Sequence, residues 1–264
     1  MSVGLFVAFA RWLTVKHGKA ASTARRRLAG VAVVFRDNGQ PVPKHIWKAA
    51  RKAITATERE REEAGDDIRQ RKAVAFTVPE LRAIYRACPE DLAGLRDRAA
   101  ILMQFAIAGR RQEIANLRVG DVAPTDSGLD VYVRWGKTGR REVSVLYGQH
   151  LESCPVRAWS AWLEASGLTE GHAFPRIRHG KILGPMHPDS VGALVTRAAA
   201  RAGLEGRTAH GLRAGLATES RKAGHDAVSI AEQGGWTRNS GEMLGYMRIT
   251  DRRGEDNALY GIGL

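Results

Sequence analysis

The chain has 264 residues, with 41 Lys and Arg against 28 Asp and Glu, a formal net charge of +13. With 44% hydrophobic and 26% charged residues it has globular composition, which excludes a wholly disordered chain, a collagen-like repeat and a small disulfide scaffold. The surplus of positive charge points to a polyanionic partner, nucleic acid first, although structural basic proteins share that property. The apolar run Val3 to Ala10 is too short to span a bilayer, and its charges (Arg11, Lys16, Lys19) follow it, where a secretory leader would carry them in front. Two cysteines, Cys88 and Cys154, make neither a disulfide framework nor a metal site. The expectation is a soluble, reduced, cytoplasmic protein with no membrane partner.

Charge is uneven along the chain. Residues 1–72 hold 16 Lys and Arg against seven Asp and Glu, so most of the excess lies in the first quarter. There Ser22 is expected to cap a helix carrying Arg25, Arg26 and Arg27 beside Leu28, Val31 and Val34, ending at Asn38-Gly39 with Pro41 and Pro43 beyond. A second helix is expected from about Pro43 through Trp47 and Ile54. It runs into a mixed-charge stretch from Glu58 to Lys72, read as a solvated helix end or a linker. A domain boundary is placed there, giving domains of residues 1–72 and 73–264.

The second part opens on a capping box, Thr77 and Glu80, with Leu81, Ile84 and Tyr85 at helical spacing. An apolar helix is predicted over about 91–108 and a short one over 111–117. The period then changes to two. Leu129, Val131 and Val133 alternate, a Gly136-Lys137-Thr138-Gly139 turn follows, and Val143 and Val145 alternate again, which predicts a β-hairpin. Helices are predicted afterwards over 155–166, 188–202, 211–223, 227–233 and 241–247. The fold class is therefore mainly α with a small antiparallel sheet (α+β).

Four places carry candidate chemistry. An arginine pair, Arg110-Arg111, follows the apolar helix at a glycine. Lys137 sits at the hairpin tip between Arg134, Arg140 and Arg141. His210 and Arg213 are three apart, so imidazole and guanidinium can converge on one phosphate, with Thr208 and a helix start supplying N–H groups. Gly234-Gly235-Trp236 is followed ten residues after the Trp by Tyr246. Taken singly, each has a bland reading: a polar helix start, a solvated turn lysine, a surface HxxR, a half-buried tyrosine.

In this order the four resemble the tyrosine recombinase (phage integrase) family over about residues 75–250. The family's first motif, Thr-Gly-Leu-Arg-x-x-Glu-Leu-x-x-Leu, is similar to Ala108-Gly109-Arg110-Arg111-Gln112-Glu113-Ile114-Ala115-Asn116-Leu117, with Asp121 closing it. One shift of register offers Arg111 instead; the spacings to Glu113 and Leu117 favour Arg110. The hairpin lysine falls on Lys137, the His-x-Leu-Arg box on His210-Gly211-Leu212-Arg213, the following His-or-Trp position on Trp236, and the nucleophile on Tyr246. Three departures stand out: Ala108 for threonine, Gly211 for serine, and Trp236 for the commoner His.

The resemblance implies a site-specific DNA recombinase of a mobile genetic element that cleaves and rejoins DNA through a 3′-phosphotyrosyl link, with no cofactor, ATP or metal. It implies that Arg110 and Arg213 clamp the phosphate oxygens and that Lys137 protonates the leaving 5′-oxygen. His210 would assist proton transfer from Tyr246, Trp236 would donate its indole N–H, and Glu113 would orient the arginine or the lysine turn. It also implies a shortened, SAM-like helical DNA-clamping domain before the catalytic domain, double-stranded DNA as partner, a homo-oligomer (a tetramer on DNA) and a nucleoid-associated location. Arg25, Arg26, Arg27, Lys44, Lys48, Lys52, Arg197 and Arg201 are candidate DNA contacts. The apolar tail Ala258, Leu259, Tyr260, Ile262 and Leu264 would pack on a neighbouring protomer or on its own domain. The alternatives are a catalytically idle DNA-binding remnant and a type IB topoisomerase acting alone.

Overall fold

The computed structural model describes residues 2–68, 73–136, 139–238 and 240–251. Lys137 and the tail from Ala258 lie outside them. The chain divides into two compact units, Met1–Lys72 and Ala73–Leu264.

Among the described residues, the first unit holds the α-helices α1 (Val3–Arg11), α2 (Ala21–Asp37) and α3 (Lys44–Glu63). α1 begins where the Ser2 hydroxyl accepts the Leu5 N–H and continues as a wider turn to Lys16. Ser22 does not cap α2. Ala20 is the N-cap, with no side-chain hydrogen bond, and Ala21 is already buried, so core packing sets this helix start in place of a hydroxyl. The other end follows the sequence: Asn38 closes the helix, and Gly39, at φ +73°, turns the chain out. Phe6, Ala10, Leu13, Ala24, Leu28, Ile46, Ala50 and Ile54 form the core. The charged end of α3 remains helical to Glu63, supported by the Arg59–Glu63 pair at 2.9 Å and by Glu58, which holds Arg25 at 2.7 Å.

The second unit starts with α4 (Val78–Ala87), whose capping box is complete: Thr77 Oγ1 accepts the Glu80 N–H and Glu80 accepts the Thr77 N–H. α5 (Leu92–Ala106) is buried through most of its length, including Arg96, Asp97 and Arg98. Arg98 donates to the Tyr85 and Cys88 carbonyls and pairs with the Glu90 carboxylate, which together satisfy its buried charge. After α6 (Arg111–Asn116) come β1 (Val122–Thr125), β2 (Gly128–Gly136) and β3 (Gly139–Leu146), an antiparallel sheet in that order. Val131 faces Val143 and Leu129 faces Val145, so the alternating valines point into the core. β1 carries Pro124 and lies on the sheet's edge, where a missing N–H is tolerated.

α7 (Pro155–Ser166) packs on α5 through Trp159 and Trp162, and the Trp162 indole donates to the Ala173 carbonyl at 2.9 Å. A two-stranded hairpin, β4 (Ile177–Arg178) and β5 (Lys181–Ile182), turns on His179 and Gly180, both at positive φ. α8 (Pro188–Arg201), α9 (Ala209–Lys222), α10 (Ala227–Gly234) and α11 (Gly241–Asp251) complete the unit. The fold is mainly helical with two small antiparallel sheets. Among the described residues no helix is long and apolar enough to cross a membrane.

Candidate functional site

The site lies where α5, α9, α10 and α11 meet around a second, smaller apolar cluster that includes Ala108, Ala214, Ile230, Trp236, Met243 and Tyr246. α5 ends at Ile107. Ala108 then takes a left-handed conformation (φ +46°), which few non-glycine residues adopt. This turn aims the Ala108 carbonyl at Arg213 and delivers Arg110, in extended conformation, to the start of α6.

Glu113, on the first turn of α6, is the anionic hub. Its side chain is 1% exposed. It accepts the Arg110 guanidinium at 2.8 Å, the Arg110 backbone N–H at 3.2 Å, and the Arg141 guanidinium at 2.8 Å. Burial alone would raise its carboxyl pKa, but the hydrogen bond and charge of Arg141, with help from Arg110, outweigh that and hold it below the usual range. Arg141 also donates to the Ile107 carbonyl at 3.0 Å. It therefore ties β3 to the end of α5 and to α6. Arg111 turns elsewhere and pairs with Asp189 at 3.1 Å on an exposed surface. Of the two registers, Arg110 is the one on the Glu113 hub.

Arg213 is buried at the heart of the site. Its Nη1 donates to the Ala108 carbonyl at 2.5 Å and the Gly234 carbonyl at 2.6 Å. The guanidinium lies over the Trp236 ring, 3.7 Å from the centroid. Its Nε and Nη2, and the Trp236 Nε1, are buried without a hydrogen-bond partner among the described residues. Burial, then the positive charge of Arg110, lowers the Arg213 pKa to about 10, which still leaves it charged at neutral pH. Three unsatisfied donors in one place are costly unless an acceptor completes them.

The glycines beside these groups are required by contact. A Cβ on Gly234 would fall 1.9 Å from the Trp236 ring. Gly235 has φ +60° and packs against the Arg141 side chain. A Cβ on Gly211 would meet the Val74 carbonyl oxygen at 2.3 Å, which accounts for glycine where the family pattern has serine.

Tyr246, on α11, places its Oη 2.7 Å from His210 Nε2 and donates toward Glu242 Oε1 at 3.3 Å. Burial lowers the His210 pKa; Glu242 opposes this, while Arg213, Arg110 and Arg111 add to it. The lowered pKa favours the neutral imidazole, and the direction of the Tyr246–His210 hydrogen bond follows its tautomer. Burial, then the charge and hydrogen bond of Glu242, pushes the Tyr246 phenol above its ordinary value. A cleft of about 630 Å³ opens beside Arg110 and His210, lined also by Gln104, Thr196 and Thr208.

Arg110, Glu113, His210, Arg213, Trp236 and Tyr246 therefore come together. Lys137 lies outside the described residues. Arg141 and Glu242 join the site without having been singled out for it. Both left a signal: Arg141 shares the inward period-two face of Val143 and Val145, and Glu242 lies one helical turn before Tyr246. Among the candidate DNA contacts, Arg26, Arg27, Lys44, Lys48 and Lys52 are exposed on the first unit, whereas Arg25 is held by Glu58 and Thr55. Arg197 and Arg201 are exposed on α8.

Residues 75–252 match the model of the phage integrase family. The chain is 30% identical over 179 residues to the integrase/recombinase xerD homolog of Selenomonas ruminantium, a match covering 64% of this chain and 52% of that protein. It thus spans about half the length of that relative. Its fold is similar to that of XerH site-specific recombinase bound to a palindromic difH substrate in a post-cleavage complex, with TM-score 0.66 and 18% identity over 98% of this chain and 72% of that one. It is also similar to a lambda integrase dimer bound to a COC′ core site, with TM-score 0.53 and 18% identity over 84% of this chain and 79% of that one.

Proposed function

The chain belongs to the phage integrase family, and from that premise we propose that it is a site-specific DNA recombinase in which Tyr246 cleaves a DNA strand and holds it as a 3′-phosphotyrosyl ester. The observation that carries this reading is the Tyr246 hydroxyl 2.7 Å from His210 Nε2, beside buried Arg213 and Trp236 donors that lack an acceptor. A phosphodiester supplies two non-bridging oxygens that carry negative charge, and each can accept more than one hydrogen bond from such donors.

In the first step the Tyr246 oxygen attacks phosphorus, and its proton passes to His210. The bond from phosphorus to the 5′-oxygen breaks, and Lys137 gives that oxygen a proton, a role taken from the family resemblance. Arg110 and Arg213 stabilise the charge that grows on the non-bridging oxygens, and Trp236 adds a neutral donor. A free 5′-hydroxyl from another strand then attacks the tyrosyl ester and reseals the backbone, so ester energy is conserved.

Residues 73–264 would form the catalytic domain and residues 1–72 a helical DNA-clamping domain. Exposed Arg26, Arg27, Lys44, Lys48 and Lys52 would supply phosphate contacts from the first and Arg197 and Arg201 from the second, giving affinity without sequence information. Strand exchange requires more than one protomer, and the DNA-bound lambda integrase dimer supports a homo-oligomer on DNA. The setting would be nucleoid DNA in the cytoplasm.

The test is covalent trapping. Nicked duplexes taken from the DNA that flanks the gene are incubated with the protein and quenched in detergent. A protein–DNA adduct supports strand cleavage. Salt-sensitive binding without any adduct supports the idle remnant instead.

A further inference from the structure

Glu242 stands in the first turn of α11, one helical turn before Tyr246. An acid in a first turn is favoured by the helix dipole and is ordinarily left to water. This one turns inward. Its Oε1 accepts the Tyr246 hydroxyl at 3.3 Å, lies 3.3 Å from His210 Nε2 and comes within 4.0 Å of Arg213 Nε. One carboxylate oxygen therefore faces three groups that the functional reading assigns to the phosphate.

The geometry points to Glu242 as the resident anion of the DNA-free site: its carboxylate holds the place that a phosphate takes, and phosphate binding is an exchange of one anion for another. This inference rests on the reading of the pocket as a phosphate site. Its physical basis is competition. Arg213 is buried, and a buried guanidinium without a counter-charge is costly, so an internal anion stabilises the site while DNA is absent. Glu242 is too far from Arg213 Nε for a full hydrogen bond, so the Arg213 and Trp236 donors stay open to a better acceptor. Two anions cannot share these donors at close range without strong repulsion. Glu242 is also free to leave: its side chain is 40% exposed, and rotation about its own bonds carries the carboxylate into water. While it stays, it keeps the Tyr246 phenol protonated, acting in the same direction as burial.

The test is titration of inorganic phosphate into the full, DNA-free chain, followed through the His210 ring resonances. Glu242→Gln keeps the size and the hydrogen-bonding amide but removes the charge. It is expected to bind phosphate roughly tenfold more tightly than the wild type, the scale of one contact between charged groups. Glu242→Ala serves the same comparison where the Gln variant does not fold. Glu242→Asp, which retains the charge, is expected to bind more weakly than either. Equal phosphate affinity in the wild type and the neutral variants would overturn the inference and leave Glu242 as a first-turn acid only, as would an Asp variant that binds as tightly as the Gln one. Trapping on nicked duplex, run on the same proteins, separates the two readings. A tighter phosphate site with no adduct from any protein rejects strand cleavage and keeps the resident anion. Adducts with unchanged phosphate affinity do the reverse.

Discussion

Arg213 stands over the Trp236 ring, its guanidinium carbon 3.7 Å from the ring centroid, while Gly234 beside the indole has no room for a Cβ. The tryptophan thus has two separable jobs: its ring packs the arginine and its N–H faces the site. Trp236→Phe keeps a ring and removes the donor, so thermal stability should change little while the adduct rate falls on the order of a hundredfold, as for loss of one donor to a developing oxyanion. Trp236→Ala removes both and should cost about 3–5 kcal/mol of stability as well. Melting curves beside trapping kinetics check this, and a Phe variant with unchanged adduct rate would deny the indole N–H its role.

Glu113 binds two guanidinium groups while almost fully buried. Glu113→Gln should therefore cost about 3 kcal/mol, because two partly buried guanidinium groups lose their one buried counter-charge. Its folded carboxyl lies below the ordinary 4.5, so its contribution is complete above that pH and fades as the pH falls through the lower, folded value. Urea unfolding at a series of pH values should show wild type and variant converging below about pH 4.5 and separated above it. A constant gap down to strongly acid pH would contradict the depressed carboxyl.

His210 has its pKa lowered from 6.5 by burial and the surrounding arginines, against the pull of Glu242. If neutral His210 takes the Tyr246 proton, adduct formation should be flat from neutral pH down to 6.5 and fall only below it. Single-turnover trapping across pH reads this. An acid limb above 6.5 would mean a histidine stabilised in its charged form, and His210→Gln should abolish the limb together with most of the rate.

Gly211 stands 2.3 Å, measured from a Cβ it does not have, from the Val74 carbonyl. Gly211→Ser should restore the family's commoner residue yet destabilise this protein by about 1–3 kcal/mol, since backbone must move to admit it. A serine variant as stable as the wild type would show that the segment at Val74 yields freely.

Much of this site was legible in the sequence because its members sit in short local patterns. His210 and Arg213 share a helix face, Arg110 and Glu113 sit three apart, and the valines at 131, 133, 143 and 145 alternate toward one core. What was missed depends on tertiary packing or on elements too short to have a period. Ser22 had the chemistry of a cap, but the buried Ala21 fixes where that helix begins. β4 and β5 contribute two residues each, too few for alternation to register. Arg141 is one of the basic residues flanking Lys137 in the sequence, and the approach of Glu113 from α6 to β3 shows its charge to be used internally.

The most direct measurement is the identity of the residue that carries the DNA. After trapping on a nicked duplex, nuclease and trypsin digestion leave a nucleotide on a single peptide, and mass spectrometry locates it. Strand cleavage as proposed requires the label on Tyr246, within the peptide from Asn239 to Arg248, with the DNA joined through its 3′ phosphate and no label in Tyr246→Phe. A label on Tyr260 or any other residue, or an adduct that persists in Tyr246→Phe, would contradict it.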